Sequence, residues 1–78
     1  MRRYLPSTAM LQAFEASARR LSFTLAAEDL CLTQGAISKQ VGALEELLRT
    51  ELFRRVKKRL GLTAAGKSFL ARITPALN

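Results

Sequence analysis

The chain has no histidine, no tryptophan and only one cysteine among its 78 residues. These absences remove most catalytic and metal-binding chemistry. Without histidine, the only side chain that ordinarily titrates near neutral pH, and the commonest metal ligand, is missing. A single cysteine, Cys31, can form neither an internal disulfide nor a multi-thiolate metal site. Its scarcity points to a reducing cytoplasm. Flanked by Leu30 and Leu32, Cys31 itself is expected in the core, where free cysteine usually resides. No Gly-rich loop followed by Lys-Ser or Lys-Thr is present. The sequence therefore argues against an enzyme, a metal site or a bound cofactor. Although 49% of the residues are hydrophobic, no apolar run reaches the roughly 18 residues of a membrane-spanning helix. The opening "MRRYLPST" has no apolar stretch behind its arginines, which argues against a signal peptide.

Acid is missing too, but only from one part. The formal net charge is +7, and it is unevenly placed. Residues 1–51 hold six basic and six acidic side chains, whereas residues 52–78 hold seven basic ones and no acid. Five of those seven fall in "RRVKKR", residues 54–59. A one-sided positive cluster attracts a polyanion, either nucleic acid or anionic lipid. A chain of this length is one domain, burying only roughly 60% of its unfolded surface.

What is present reads as mostly helical. In "PSTAMLQAFEASARR" a Pro and a Ser-Thr pair start a helix, and Leu11, Phe14 and Ala18 form its apolar stripe. "LSFT" interrupts it. Thr24 is expected to cap a second helix over 25–31, with Ala27 and Leu30 facing inward. Thr33 is expected to cap a third, from Gln34 to about Leu48. At about 100° per residue, Ile37, Val41, Leu44 and Leu48 make one stripe of that helix. Gln34, Gly35, Ser38, Lys39 and Gly42 make another, free of acid. Glycine in a helix costs roughly 1 kcal/mol against alanine. Two on one polar face suggest that something approaches the backbone closely.

Two short helices joined by a tight turn, the second with a polar leading half, make a helix-turn-helix. In that motif the second helix enters the major groove of DNA and its first residues reach base edges. The apolar positions Ala26, Ala27, Leu30, Leu32, Ile37 and Val41 fit it, while Cys31 stands where a turn glycine is usual. Gln can pair with adenine there and Lys with guanine. Beyond Leu48, Leu60 and Leu62 alternate around Gly61, predicting short strands on either side of "RVKK". Such a basic hairpin, or wing, is placed to touch phosphates or a minor groove. Thr63 then caps a last helix, carrying Phe69, Leu70, Ile73 and Leu77 on one side as a candidate dimer surface. Pro75 should kink or end that helix.

The segments "LQAFEASAR", "SFTLAAEDL", "LTQGAISKQV", "ALEELL", "LF-R" and "LTAAG" together resemble the N-terminal DNA-binding domain of LysR-type transcriptional regulators, from about Leu5 to Gly66. Leu21 before "SF" resembles the branch of glycine-cleavage activators and β-lactamase regulators. The resemblance implies a mostly α winged helix-turn-helix over 1–62, with the motif at about 23–42 and the wing at about 53–62. Residues 63–78 would begin a linker and dimerisation helix. It implies a sequence-specific transcription regulator of double-stranded DNA, working as a homodimer and often as a dimer of dimers. A small-molecule effector would require a further C-terminal domain, absent from this chain. The DNA-contacting candidates are Thr24, Thr33, Gln34, Gly35, Ser38 and Lys39, with Arg55, Lys57, Lys58 and Arg59 in the wing. Gly35 replaces the family's usual Ser, Pro or Ala, so one contact is expected to be missing. Arg49 replaces a common helix-ending Gly, which questions a left-handed cap there. The alternative is a small cationic membrane-surface or protein-interaction module, favoured by the basic tail beside apolar helices.

Overall fold

The computed structural model describes residues 5–77, with side chains as far as Thr74. Six elements follow in order: α1 (Thr8–Arg20), α2 (Phe23–Leu30), α3 (Gln34–Leu48), β1 (Phe53–Val56), β2 (Arg59–Leu62) and α4 (Ala64–Leu77). Helices α1, α2 and α3 pack on one another, and α4 folds back against α1. The strands form an antiparallel hairpin in which Phe53 pairs with Leu62 and Val56 with Arg59. This is the mostly α winged helix-turn-helix that the sequence predicts.

The helices start where a hydroxyl can take an orphan backbone N–H. Ser7, Ser22, Thr33 and Thr63 accept from the N–H groups of Met10, Leu25, Ala36 and Gly66, at 2.9–3.1 Å. Each such cap is typically worth about 1 kcal/mol. Thr33 and Thr63 cap as expected. Thr24 does not: Ser22 takes that role and α2 begins at Phe23. The two hydroxyls lie two residues apart, and starting at Ser22 brings Phe23 into the helix and leaves the Thr24 hydroxyl available to bond outside its own helix.

Three helices end on a left-handed residue that is not glycine: Leu21, Cys31 and Arg49, with φ of 50°, 58° and 54°. At Cys31 the next N–H, of Leu32, reaches back to the Ala27 carbonyl at 2.9 Å. At Arg49 that of Thr50 reaches the Glu45 carbonyl at 3.1 Å. Both are Schellman closures, which satisfy carbonyls left over at a helix end. The cap questioned at Arg49 is thus formed. Cys31 is exposed instead of buried, because a C-cap projects its side chain off the end of the helix. Leu32, next to it, is 49% exposed rather than part of the core. Helix α4 runs through Pro75 to Leu77 and does not end at the proline.

Phe14, Ile37, Leu44 and Leu52 are the largest apolar side chains buried almost completely. All four phenylalanines of the chain touch in a row. Phe23 meets Phe53 at 5.5 Å between ring centroids, Phe53 meets Phe14 at 5.4 Å, and Phe14 meets Phe69 at 5.3 Å. Tilted and edge-on pairs of this kind add about 0.5–1.5 kcal/mol each beyond area burial. The row links α2, β1, α1 and α4 through one core. A carboxylate adds a second tie. Glu45 Oε2 accepts from the backbone N–H groups of Leu52, at 2.7 Å, and Phe53, at 3.1 Å. It joins the far end of α3 to the root of the hairpin through charge-assisted bonds, roughly twice as strong as neutral ones.

Candidate nucleic-acid interface

Helix α3 has two faces. Ile37, Val41 and Leu44 are buried, while Gln34, Gly35, Ser38, Lys39 and Gly42 are exposed. Its N-cap Thr33 is exposed as well. Of the two acids near its end, Glu45 is turned back to the hairpin root and Glu46 is exposed. The leading half therefore presents a surface of small, polar and positive groups.

The hairpin turns through Lys57 and Lys58, both with positive φ, at 53° and 66°. Two left-handed residues in a two-residue loop are the mark of a type I′ turn, which normally selects Asn-Gly. Here it carries two ammonium groups at the tip. Arg55 points to the other end of the site, its guanidinium carbon 5.9 Å from the centre of the Phe23 ring. That cation–π contact holds Arg55 over the start of α2.

An open cleft of about 420 Å³ separates the hairpin from the starts of α2 and α3. Ser22, Thr24, Gln34, Arg55, Lys58 and Arg59 line it, and no acidic side chain does. At its α-helical wall the Thr24 hydroxyl donates to Gln34 Oε1 at 3.1 Å. The cleft brings the first residues of α3 and the basic hairpin onto one side of the molecule. Among the described residues no group of three or more acidic or thiol side chains could hold a metal ion. None of the described helices is long and apolar enough to cross a membrane.

Residues 8–67 match the family model for bacterial regulatory helix-turn-helix proteins of the lysR family. The chain belongs to the LysR family. Among LysR-family relatives, it is 56% identical over 70 residues to the transcriptional activator AmpR of Pseudomonas aeruginosa, covering 90% of this chain and 23% of AmpR. It is 44% identical over 77 residues to the glycine cleavage system transcriptional activator homolog of Haemophilus influenzae, covering 99% of this chain and 26% of that protein. The second belongs to the glycine-cleavage activators to which Leu21 pointed, and both are transcriptional regulators rather than enzymes. The chain spans about a quarter of their length. Among solved structures it is similar to the BenM DNA-binding domain in a complex with benA site 1 DNA. That match has a TM-score of 0.82 at 34% identity, over 87% of this chain and 76% of the other. It is also similar to oxidized OxyR of Corynebacterium glutamicum, with a TM-score of 0.86 at 30% identity, over 92% of this chain and 23% of OxyR.

Within this LysR-family domain the predicted site residues fall into two groups. Thr24, Thr33, Gln34, Gly35, Ser38 and Lys39 gather at the starts of α2 and α3, and Arg55, Lys57, Lys58 and Arg59 line the hairpin. Of the candidate dimer residues, Phe69 packs edge-on against Phe14 and so serves the chain's own core. Leu70 and Ile73 are half-buried against that core. Leu77 lies outside the described side chains. Three contacts escaped the sequence reading. Phe23 supports Arg55, Thr24, itself a predicted site residue, holds Gln34, and Glu45 clamps the hairpin. The first two leave a local signal, an aromatic and a hydroxyl at the start of a helix facing a basic segment. Glu45 leaves none, since its partners are backbone groups beyond the end of its helix.

Proposed function

We propose that this domain binds double-stranded DNA, with the leading half of α3 in the major groove and the basic hairpin on the backbone or an adjacent minor groove. The observation that carries this is the shared acid-free cleft: Gln34 and the guanidinium groups of Arg55 and Arg59 line the same opening. A major groove admits a helix, and donors and acceptors of the Gln, Ser and Lys type read base edges there. The DNA complex of the related BenM domain supports the same reading, as does the complex of the CbnR DNA-binding domain with DNA. On this reading residues 1–62 read DNA and 63–78 begin a linker helix. The full-length regulator is a cytoplasmic homodimer joined through that helix and governed by an effector-binding domain beyond it. The membrane-surface alternative fits less well, because the positive charges cluster on a hairpin instead of lining an amphipathic helix.

Salt dependence tests it. If Arg55, Lys57, Lys58 and Arg59 each neutralise one phosphate, log K should fall with log salt at a slope of about −3.6 per chain. Between 50 and 200 mM salt this is roughly a hundredfold loss of affinity. A flat response across that range would refute the proposal.

A further inference from the structure

The contact between Thr24 and Gln34 bears on which bases the domain selects. Gln34 is the first residue of α3 and its side chain is exposed. A free glutamine amide can turn either way, and bidentate pairing with adenine needs both its carbonyl and its NH₂. Here the carbonyl oxygen already accepts from the Thr24 hydroxyl at 3.1 Å. The surroundings favour that orientation over the flipped one. The cleft that both side chains line also holds Arg55, Lys58 and Arg59. The N-terminus of α3, with its positive end of the helix dipole, lies beneath. Each of these draws the negative end of the amide inward.

We propose that Thr24 is a positioning residue that turns the Gln34 carbonyl inward and its NH₂ outward. Gln34 then selects hydrogen-bond acceptors on the base edge, guanine O6 and N7 or thymine O4, in place of adenine. This rests on the DNA-binding reading and refines it. It also replaces the Gln–adenine pairing expected from residue type alone. With the carbonyl turned into the cleft, the two donor hydrogens of Nε2 are what face outward, and the major-groove edges of guanine and thymine offer acceptors to meet them. An adenine offers one acceptor, N7, beside an amino group that would face the outward NH₂ donor to donor.

The test uses the 78-residue chain, selection from randomised duplexes, and titrations on the selected and a scrambled duplex. Comparing the profiles of wild type and Gln34→Ala locates the base pair that Gln34 reads. Guanine or thymine is expected there on the contacted strand, which is the strand whose abasic substitution at that pair weakens wild type more than Gln34→Ala. Thr24→Val keeps the branched shape and removes the hydroxyl; it should lower the preference at that base pair about fivefold, the low end for a base-edge contact. Thr24→Ser should restore the preference. A merely structural role for Thr24 would instead weaken the selected and the scrambled duplex by the same factor and leave the base preference as it was. Adenine or cytosine at the Gln34 position, or an unaltered profile for Thr24→Val, would overturn the proposal. Failure of the wild-type chain to bind scrambled duplex at low salt would instead overturn the DNA-binding reading on which it depends.

Discussion

Replacing glycine by alanine should have opposite consequences at two helical positions of this chain. At Gly42, in the middle of α3, a built Cβ meets nothing within 4 Å. Alanine is favoured over glycine in a helix interior by about 0.8–1.0 kcal/mol, so Gly42→Ala should stabilise the free domain by roughly 1 kcal/mol. For a domain this small that raises Tm by about 4–8 °C. At Gly66, in the first turn of α4, the same Cβ would lie 2.2 Å from the backbone oxygen of Leu52 and 2.9 Å from a methyl of Leu62. The obstructing oxygen is backbone, fixed also by the Thr63 N–H at 3.1 Å, and cannot swing away. Gly66→Ala should cost about 1–3 kcal/mol or more, as overpacking does. Thermal unfolding followed by circular dichroism measures both. Gly42 carries the functional half of the argument. It lies on the exposed face of α3 with Gly35 and Lys39. If DNA approaches that backbone, the more stable Gly42→Ala chain should bind duplex about tenfold more weakly, since an added methyl in a close-packed contact costs on the order of 1–3 kcal/mol. Equal affinity for wild type and Gly42→Ala would refute close approach as the reason for that glycine. A destabilised Gly42→Ala would refute the packing argument itself.

Gln34→Ala should cost about 1–3 kcal/mol on a selected operator and much less on random duplex, whereas Lys57→Ala should weaken both equally and lower the salt slope by about 1. Paired titrations on the two duplexes would expose a reversal of these roles. Glu45→Ala leaves the N–H groups of Leu52 and Phe53 without their acceptor and should destabilise the domain by about 2–3 kcal/mol; urea unfolding that shows no change would remove Glu45 as the hairpin clamp. Arg49→Gly relieves a left-handed conformation that costs an L-residue roughly 1–2 kcal/mol. Allowing for the greater freedom of glycine in the unfolded chain, it should raise stability by about 0.5–1 kcal/mol in the same assay. Two-fold pairing of α4 should appear as weak dimers in sedimentation at rising concentration, and a strict monomer at millimolar concentration, also on a palindromic site, would count against it.

Much of this architecture could be read from local chemistry. Thr33 and Thr63 cap where a hydroxyl precedes an apolar repeat, and the hairpin follows from the alternation of Leu60 and Leu62 around Gly61, next to a basic turn. The misses share a different cause. Ser22 and Thr24 are both competent caps, and the choice between them is made by Phe23, whose ring must reach Phe53 far along the chain. Cys31 and Arg49 look like helix-end residues of the wrong type, because tertiary packing outweighs the modest strain of a left-handed L-residue. Leu32 and Cys31 read as core from hydropathy alone, yet the turn that contains them faces outward. The candidate site was legible as two basic or polar segments. That one cleft unites them, and that Thr24 already occupies one side of Gln34, depends on side chains ten or more residues apart and has no sequence pattern.

The Glu45 clamp ties α3 to the root of the hairpin, and the row of phenylalanines ties the hairpin to α1, α2 and α4. If these ties hold on DNA, the gap between the part proposed to enter a groove and the part proposed to meet the backbone is a fixed length, a kind of gauge. When such a gauge meets a duplex, the duplex must do the adjusting. Steps that bend or widen cheaply, such as TA and CA/TG, should accumulate between the two footprints in a selected site, at base pairs no side chain touches. Part of the operator's sequence would then be dictated by the stiffness of the protein, and not by any group it presents.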